Sequence, residues 1–326
     1  MAIGIGLDVG GTKVLGCAVT DAGEVVAEAR LASPATKEAL VDVLCACVEA
    51  VLADLGSPTS TVVGVGAGLP GLVDRAGVLH ETANIHDVAG LDLPASLRPR
   101  LEGLLGSSAG PLVLVVDNDA TCAAAGEHAF GAGQGVTDSI TVTLGTGIGG
   151  GIVTAGSIVH GERNFAAEVG HMVVDPSGPR CGCGRRGCWE RFASGTGLAY
   201  LARRAVLEGR APGLAEAAGG IEALRAEQVV AAASAGDPEA AAVVGEYADY
   251  LALGLGNLAE LLDPGRIILG GGLAAAGSVL FPPAIARYEA TCRRGSGPRQ
   301  VPVVTASLGE RAGAIGAAVL ALGVLG

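Results

Sequence analysis

The chain is poor in aromatic rings and in positive charge. Its 326 residues include four Phe, four Tyr and one Trp. Charged residues make up 17%, and 21 Lys and Arg stand against 33 Asp and Glu, a formal charge of −12. With no basic run, such a chain repels a phosphodiester backbone, so no nucleic-acid partner is expected. Any phosphate it binds must be met by backbone N–H groups or by metal. Long apolar runs are missing as well. The longest uncharged apolar run, Ala312 to Gly326, is too short to span a bilayer comfortably and is full of Gly and Ala, so no membrane partner is expected either. The start, Met1-Ala2-Ile3-Gly4-Ile5-Gly6-Leu7-Asp8, has no basic n-region and reaches a carboxylate at residue 8, unlike a signal peptide. A cytoplasmic enzyme is the simplest class.

Glycine, by contrast, is abundant: 54 residues, where an average protein has near ~7%. The glycines follow no three-residue period, which excludes a collagen-like chain. Half the residues are apolar and the mean hydropathy is +0.50, so the chain folds. A chain of this length is expected to form two domains, and the loose stretch Gly103 to Pro111 is the natural place for a break.

Hydrophobic periodicity gives an α/β layout. Ile3–Asp8, Val14–Thr20 and Val25–Leu31 read as strands, separated by the turns Gly10-Gly11-Thr12 and Asp21-Ala22-Gly23. Lys37–Leu55 reads as an amphipathic helix ended by Gly56. Val62–Ala67 and Leu112–Val116 are further strands, the second ending at Asp117-Asn118-Asp119 before a helix to about Phe130. A similar round begins at Ile140, with strands Ile140–Leu144, Gly151–Thr154 and Ser157–Val159. Between the first two lies the glycine loop Gly145-Thr146-Gly147-Ile148-Gly149-Gly150. The spacing suggests an internal duplication, each copy offering one glycine turn. Helices follow near Gly197–Leu207, at Ala226–Ala235 and from Asp237-Pro238 to Leu262. Strands Arg266–Leu269 and Val301–Thr305 and a small-residue helix Glu310–Leu322 complete the chain.

Several constellations carry chemistry. His171, Cys181, Cys183 and Cys188 supply an imidazole and three thiolates, a closed tetrahedral set for structural Zn²⁺ with no open position for water. Scattered buried thiols rarely adopt the spacing C-x-C-x₄-C. Glu168 and Glu190 flank this set, so zinc would pin two carboxylates and an imidazole able to hold a polyol. Asp8 ends a strand before Gly10-Gly11-Thr12-Lys13, which suits Mg²⁺ and phosphate; a second turn at Gly145-Thr146-Gly147 could help clamp one nucleotide. The literal G-x-G-x-x-G at 145–150 is followed by a strand, not a helix, which excludes a dinucleotide fingerprint. Asn118 suits a helix cap, and Asp119 suits a base that takes a proton from an attacking hydroxyl. Phosphate loops, a base and a polyol-binding set together point to phosphoryl transfer onto a sugar.

These residues resemble the ROK family (repressors, open reading frames, sugar kinases), and within it the bacterial glucokinases. The resemblance covers essentially the whole chain. It rests on Asp8-Val9-Gly10-Gly11-Thr12-Lys13, Leu69-Pro70-Gly71 with Val73-Asp74, Asn118-Asp119-Ala120, Gly145 to Gly151, Glu168-x-x-His171 and the cysteine run ending Cys188-Trp189-Glu190. It implies an actin-like ATPase (RNase H-like) fold: a duplicated two-domain α/β architecture with a central cleft. Residues 1–116 with 309–326 would form a smaller N-terminal domain, and 117–308 a larger one carrying the zinc motif.

The resemblance also implies site roles. Asp119 would be the catalytic base for the sugar 6-hydroxyl, and Gly71, Asn84, Asn118, Glu168, His171 and Glu190 would contact glucose or a related hexose. Asp8, Gly10, Gly11, Thr12, Lys13, Gly145, Thr146 and Gly147 would face the phosphates of ATP and Mg²⁺, and Gly270-Gly271-Gly272 the adenosine. A homodimer or homotetramer is implied too. The stretch Ile85-His86-Asp87 after Asn84 departs from the Trp-containing sequence usual in the family's glucokinases. N-acetylmannosamine, N-acetylglucosamine, mannose or fructose as acceptor, and polyphosphate as donor, therefore stay open. So does a sugar-sensing repressor lacking its DNA-binding segment, which Asp8 in the first strand and the acidic charge make the weaker alternative.

Overall fold

Strands form where Val, Ile and Leu alternate with small residues, and helices begin where a short polar side chain can close the first turn. A computed structural model of the protein describes residues 2–56, 61–82, 85, 88–106, 111–291 and 300–325. Thr36, Asp92, Asn118, Ser194 and Asp237 each accept a backbone N–H from the helix that follows, a cap worth about 1 kcal/mol. The chain divides into two compact units: Met1–Thr141, Gly151–Ala167 and Ser307–Gly326 form one, Val142–Gly150 and Glu168–Ala306 the other.

The chain begins with β1 (Ile3–Val9), β2 (Lys13–Thr20), β3 (Val25–Ala32), α1 (Lys37–Leu55) and β4 (Val62–Leu69). Short strands β5 (Leu72–Val73), β6 (Val78–Glu81) and β7 (Leu91–Asp92) precede α2 (Leu93–Leu105), β8 (Val113–Asn118) and α3 (Asp119–Phe130). Next come β9 (Ser139–Leu144), β10 (Ile148–Thr154) and β11 (Ser157–Ile158). Helices α4 (Glu190–Ala193), α5 (Gly195–Leu207), α6 (Pro212–Ala218), α7 (Ala226–Ser234) and α8 (Pro238–Leu262) follow. The chain ends with β12 (Arg266–Gly270), α9 (Gly277–Thr291), β13 (Val303–Thr305) and α10 (Ala312–Leu322). Among the described residues no helix is long and apolar enough to cross a membrane.

The two large sheets run β3-β2-β1-β4-β8 and β11-β10-β9-β12-β13. Each has the order third, second, first, fourth, fifth within its own set, so the duplication expected from the first three strands extends to five. In the first sheet β1 pairs antiparallel with β2 and parallel with β4, and β4 pairs parallel with β8. β5, β6 and β7 form a small antiparallel sheet.

Alternation decides which face of the first sheet each helix covers. Ile3, Ile5 and Leu7 of β1 and Val65 and Ala67 of β4 join a core with Leu40, Leu44, Val48 and Val51 of α1 and Leu97 and Leu101 of α2. The residues between them are Gly4, Gly6, Gly64 and Gly66, and α10 lies directly on this bare face. A Cβ on Gly6 would stand 1.8 Å from Ala314 O, and one on Gly66 1.9 Å from Ala317 O. α10 meets α3 equally closely, since a Cβ on Gly316 would stand 1.6 Å from Cys122 O. The fully buried Glu127 of α3 fixes the approach to α10 by accepting from Ser307 N (3.1 Å), Leu308 N (2.8 Å) and Ala132 N (2.8 Å).

Two readings of the sequence change. β10 begins at Ile148, so the second glycine turn is only Gly145-Thr146-Gly147, and the following glycines belong to a strand. One of these, Gly151, is needed where the strand meets α3, because a Cβ there would stand 2.3 Å from Ala124 Cβ. The stretch taken as loose from Gly103 begins inside α2, whose Pro94 and Pro99 disguise it; Pro94 fits the first turn, where no N–H is required. Residues 107–110 lie outside the described residues.

Gly6→Ala should lower stability in urea unfolding by about 2 kcal/mol or more, because backbone blocks the new methyl. Gly103→Ala, exposed on α2 with nothing within 4 Å of its Cβ, should instead raise stability by roughly 0.5–1 kcal/mol.

Candidate active site and metal centre

The carboxyl ends of parallel strands gather the first set of groups. In register, Asp8 of β1 lies opposite Gly68 of β4, Gly68 opposite Asp117 of β8, and Leu69 opposite Asn118. α3 starts at that edge. Asn118 caps it, its Oδ1 accepting from Ala120 N (2.9 Å) and Thr121 N (3.1 Å) while its Nδ2 donates to Gly71 O (3.0 Å). The structure thus joins two of the expected sugar contacts, Gly71 and Asn118, and leaves one Asn118 hydrogen for a ligand. Gly71 has φ +127°, and a Cβ there would collide with Glu81 O, so the turn admits no side chain.

Asp119 follows on the first turn of α3 and accepts from Ala120 N at 2.8 Å. Burial raises its pKa, and that backbone hydrogen bond only partly offsets the rise. Asp8 is pushed up to about 7, first by burial and then by the Asp119 charge, with Lys13 pulling the other way. A Cβ on Gly313, in the first turn of α10, would stand 2.6 Å from Asp8 Cγ. Two half-buried carboxylates at a strand edge suit a divalent cation, whose charge would bring both pKa values down. The turn after β1 is closed by Gly10 N donating to Lys13 O at 2.9 Å. Lys13 itself pairs with Glu310 at the surface, in a chain of charges with Arg30, Glu28 and Arg311.

Asp117 is a residue whose role sequence reasoning missed. It is 3% exposed, its Oδ2 meets His160 Nε2 at 2.8 Å, and its Oδ1 accepts from Asn164 Nδ2 at 3.1 Å. Both partners lie more than 40 positions along the chain, so no local spacing signals the contact.

In the other unit the second turn is held just as tightly. Gly145 N donates to Gly147 O at 3.0 Å. Gly271 of the Gly270-Gly271-Gly272 run (φ +85°) packs on the Leu144 backbone beside it, where a Cβ would come within 2.5 Å of Leu144 O. The expected phosphate and adenosine segments are therefore neighbours. Glu190 is next to the turn as well, its Oε2 2.7 Å from where a Cβ on Gly147 would be.

The ligating atoms of His171, Cys181, Cys183 and Cys188 all lie within 4.8 Å of one another. A tetrahedral zinc with bonds of ~2.3 Å to sulfur has edges near ~3.8 Å. Cys183 Sγ is 3.6 Å from Cys188 Sγ, and His171 Nδ1 is 3.5 Å from Cys181 Sγ, so the donor set fits. His171 sits on a one-turn 3-10 helix begun by Glu168, with Nδ1 on the cluster side and Nε2 3.9 Å from Glu168 Oε2. Cys181 Sγ reaches Glu190 Oε1 at 3.0 Å. Burial would raise the Cys183 thiol, but hydrogen bonds from Arg185 and the neighbouring thiols outweigh it and bring it to about 6.

What anchors the cluster is the segment after it. Trp189, fully buried, donates Nε1–H to Tyr250 O at 2.8 Å and lies flat where α8 carries Gly254. Phe192 stacks on Tyr250 with ring centroids 4.1 Å apart, and Tyr247 Oη donates to Ala193 O at 3.0 Å. Of the expected sugar contacts, Asn84 lies outside the described residues.

The ROK family profile matches residues 4–324. A glucokinase of Streptomyces coelicolor is 35% identical over 325 residues, covering 98% of each chain. A glucokinase of Halalkalibacterium halodurans is 38% identical over 292 residues, covering 88% of this chain and 85% of that one. A solved ROK family glucokinase from Streptomyces griseus, in complex with glucose and AMPPNP, matches with a TM-score of 0.81 at 35% identity, covering 98% of this chain and 99% of that one. Sheet order and relatives together define a sugar kinase with the actin-like ATPase fold. The chain belongs to the ROK family.

Gly254→Ala places a methyl 2.0 Å from the Trp189 ring. It should cost about 2 kcal/mol or more in chemical denaturation and weaken metal retention, read by metal analysis after dialysis against a chelator.

Proposed function

We propose that this sugar kinase is a glucokinase, transferring the γ-phosphoryl group of ATP to the 6-hydroxyl of glucose with Asp119 as general base. One observation carries the reading: a half-buried carboxylate of raised pKa stands just past the end of a parallel strand in a chain 35% identical to a glucokinase along its length. Burial moves Asp119 toward the proton affinity a base needs near neutral pH. As the 6-hydroxyl oxygen forms its bond to the γ-phosphorus, its proton passes to Asp119. The bond from that phosphorus to the β,γ-bridging oxygen breaks, and ADP leaves with the electron pair. Such transfer asks of the protein chiefly position and charge neutralisation.

Gly71, Asn118, Glu168, His171 and Glu190 are the groups we assign to the sugar hydroxyls. Gly11, Thr12, Thr146 and Gly147 are the residues we assign to the phosphates, Gly10 and Gly145 closing the two turns with their own N–H groups, with Gly270-Gly271-Gly272 for the adenosine. Asp8 is the residue that would hold Mg²⁺, which when bound neutralises phosphate charge. His171, Cys181, Cys183 and Cys188 would hold zinc in a closed structural set, and the His171 ring would then be fixed with its other nitrogen free to donate.

A coupled assay should cross ATP and polyphosphate with glucose, mannose, fructose, N-acetylglucosamine and N-acetylmannosamine. The highest kcat/KM is expected for ATP with glucose, and a higher value for another pair would replace that assignment. Asp119→Ala should lower kcat by about 10²–10⁴-fold while calorimetry shows glucose affinity nearly unchanged; an unchanged kcat removes Asp119 as base. Because the base works as a carboxylate, kcat/KM should fall as pH drops through its pKa. That acid limb should lie above the ordinary aspartate value of 3.8. Stripping the metal with a chelator should weaken glucose binding before nucleotide binding, and normal glucose affinity in metal-free protein would count against the zinc assignment.

A further inference from the structure

Each glycine turn has at least one carbonyl tied down by a hydroxyl residue from elsewhere in the same unit. After β3, Ser33 Oγ donates to Gly10 O and Ser33 N donates to Thr12 O at 3.1 Å. At the start of α5, Gly195 N donates to Gly145 O at 2.8 Å. Thr196 donates twice to Thr146 O, from its Oγ1 at 2.8 Å and its N at 3.4 Å. Ser194 Oγ holds this segment in place, 3.0 Å from Thr196 Oγ1 and 2.6 Å from Glu190 O, to which it donates. A Cβ on Gly195 would stand 3.0 Å from Gly145 O, so the two backbones are in direct contact.

These bonds fix more than the carbonyls. In a trans peptide unit the C=O of one residue and the N–H of the next point in opposite directions, and no described unit is cis. Tying the oxygens of Gly10 and Thr12 therefore turns the N–H groups of Gly11 and Lys13 away from Ser33. Tying those of Gly145 and Thr146 turns the N–H groups of Thr146 and Gly147 away from α5. We infer that Ser33 and Thr196 are positioning residues, one for each half of the duplicated fold, that hold the two glycine turns with their N–H groups aimed at the phosphates of ATP. The inference rests on the reading of those turns as phosphate-binding. Each hydroxyl donates its proton to a carbonyl of the turn and so acts through the peptide units it pins. Preorganised donors need no reordering when charge arrives, which is where their advantage lies. The same device recurs on different local structures, a strand end in one half and a helix start in the other. Incidental packing of one loop would not produce it twice.

Ser33→Ala, Thr196→Val, their double variant and Thr196→Ser separate this role from a general one. Calorimetry on the full-length, zinc-loaded protein would measure Mg·AMPPNP and glucose separately, alongside the melting temperature. Ser33→Ala and Thr196→Val should each weaken Mg·AMPPNP binding by about three- to tenfold, with glucose affinity and melting temperature unchanged. Thr196→Ser should restore wild-type nucleotide affinity. Unchanged nucleotide affinity in the double variant overturns the inference. So does a parallel loss of glucose and nucleotide binding with a lowered melting temperature. A wild-type protein that binds glucose but not Mg·AMPPNP overturns the phosphate reading of the turns themselves, before any variant is compared.

Discussion

The contact on which the first unit depends is that between α10 and a sheet face without side chains. β1 and β4 alternate a large aliphatic residue with glycine, so one face carries the core with α1 and α2 while the other is bare backbone. α10, built mostly of Ala and Gly, settles on it at a separation no larger residue permits. Van der Waals contact over a close-packed surface replaces the bulk that few aromatics could supply. Because backbone meets backbone, there is little room for slippage, and Asp8, Gly313, Asn118 and Asp119 are fixed relative to one another.

Electrostatics in this unit follows from that rigidity. Asp8 and Asp119 are half-buried, Asp8 feels the Asp119 charge, and desolvation moves both toward the protonated form. Lys13, the positive group nearest in sequence, is drawn to Glu310 at the surface. Asp117, one residue from the cap, is satisfied instead by His160 and Asn164. Three carboxylates within one strand end and its neighbour therefore have three different surroundings. The chain's acidic balance is compatible with the proposed phosphate sites, whose donors are neutral N–H groups.

Much of this was legible because it is local. Strand alternation, the Asn118 cap and the Cys-Gly-Cys spacing each lie within a few residues, and the duplication showed in two similar strand–turn–strand runs. What sequence reading missed depends on contacts distant along the chain. Pro94 and Pro99 look like breakers until α2 is seen to start at Leu93, capped by Asp92. Gly149 and Gly150 look like loop until β10 takes them up, and Gly151 is explained only by the approach of α3. The His160–Asp117 pair and the links from Thr196 to Thr146 join segments tens of residues apart, and no periodicity announces them. The glycine excess, which composition alone would assign to flexibility, in large part marks places where the chain is most tightly held.

The burial of Trp189 has a spectroscopic consequence. It is the single tryptophan of the chain, it lies between Cys188 of the cluster and Glu190 beside the second glycine turn, and it is wholly shielded from water. Intrinsic emission excited at the indole band therefore originates from one ring, next in sequence to the cluster and packed on α8. The protein carries a built-in fluorophore at the junction of its cysteine motif and its proposed sugar-facing carboxylate, and its quantum yield and emission maximum report on that junction without any label.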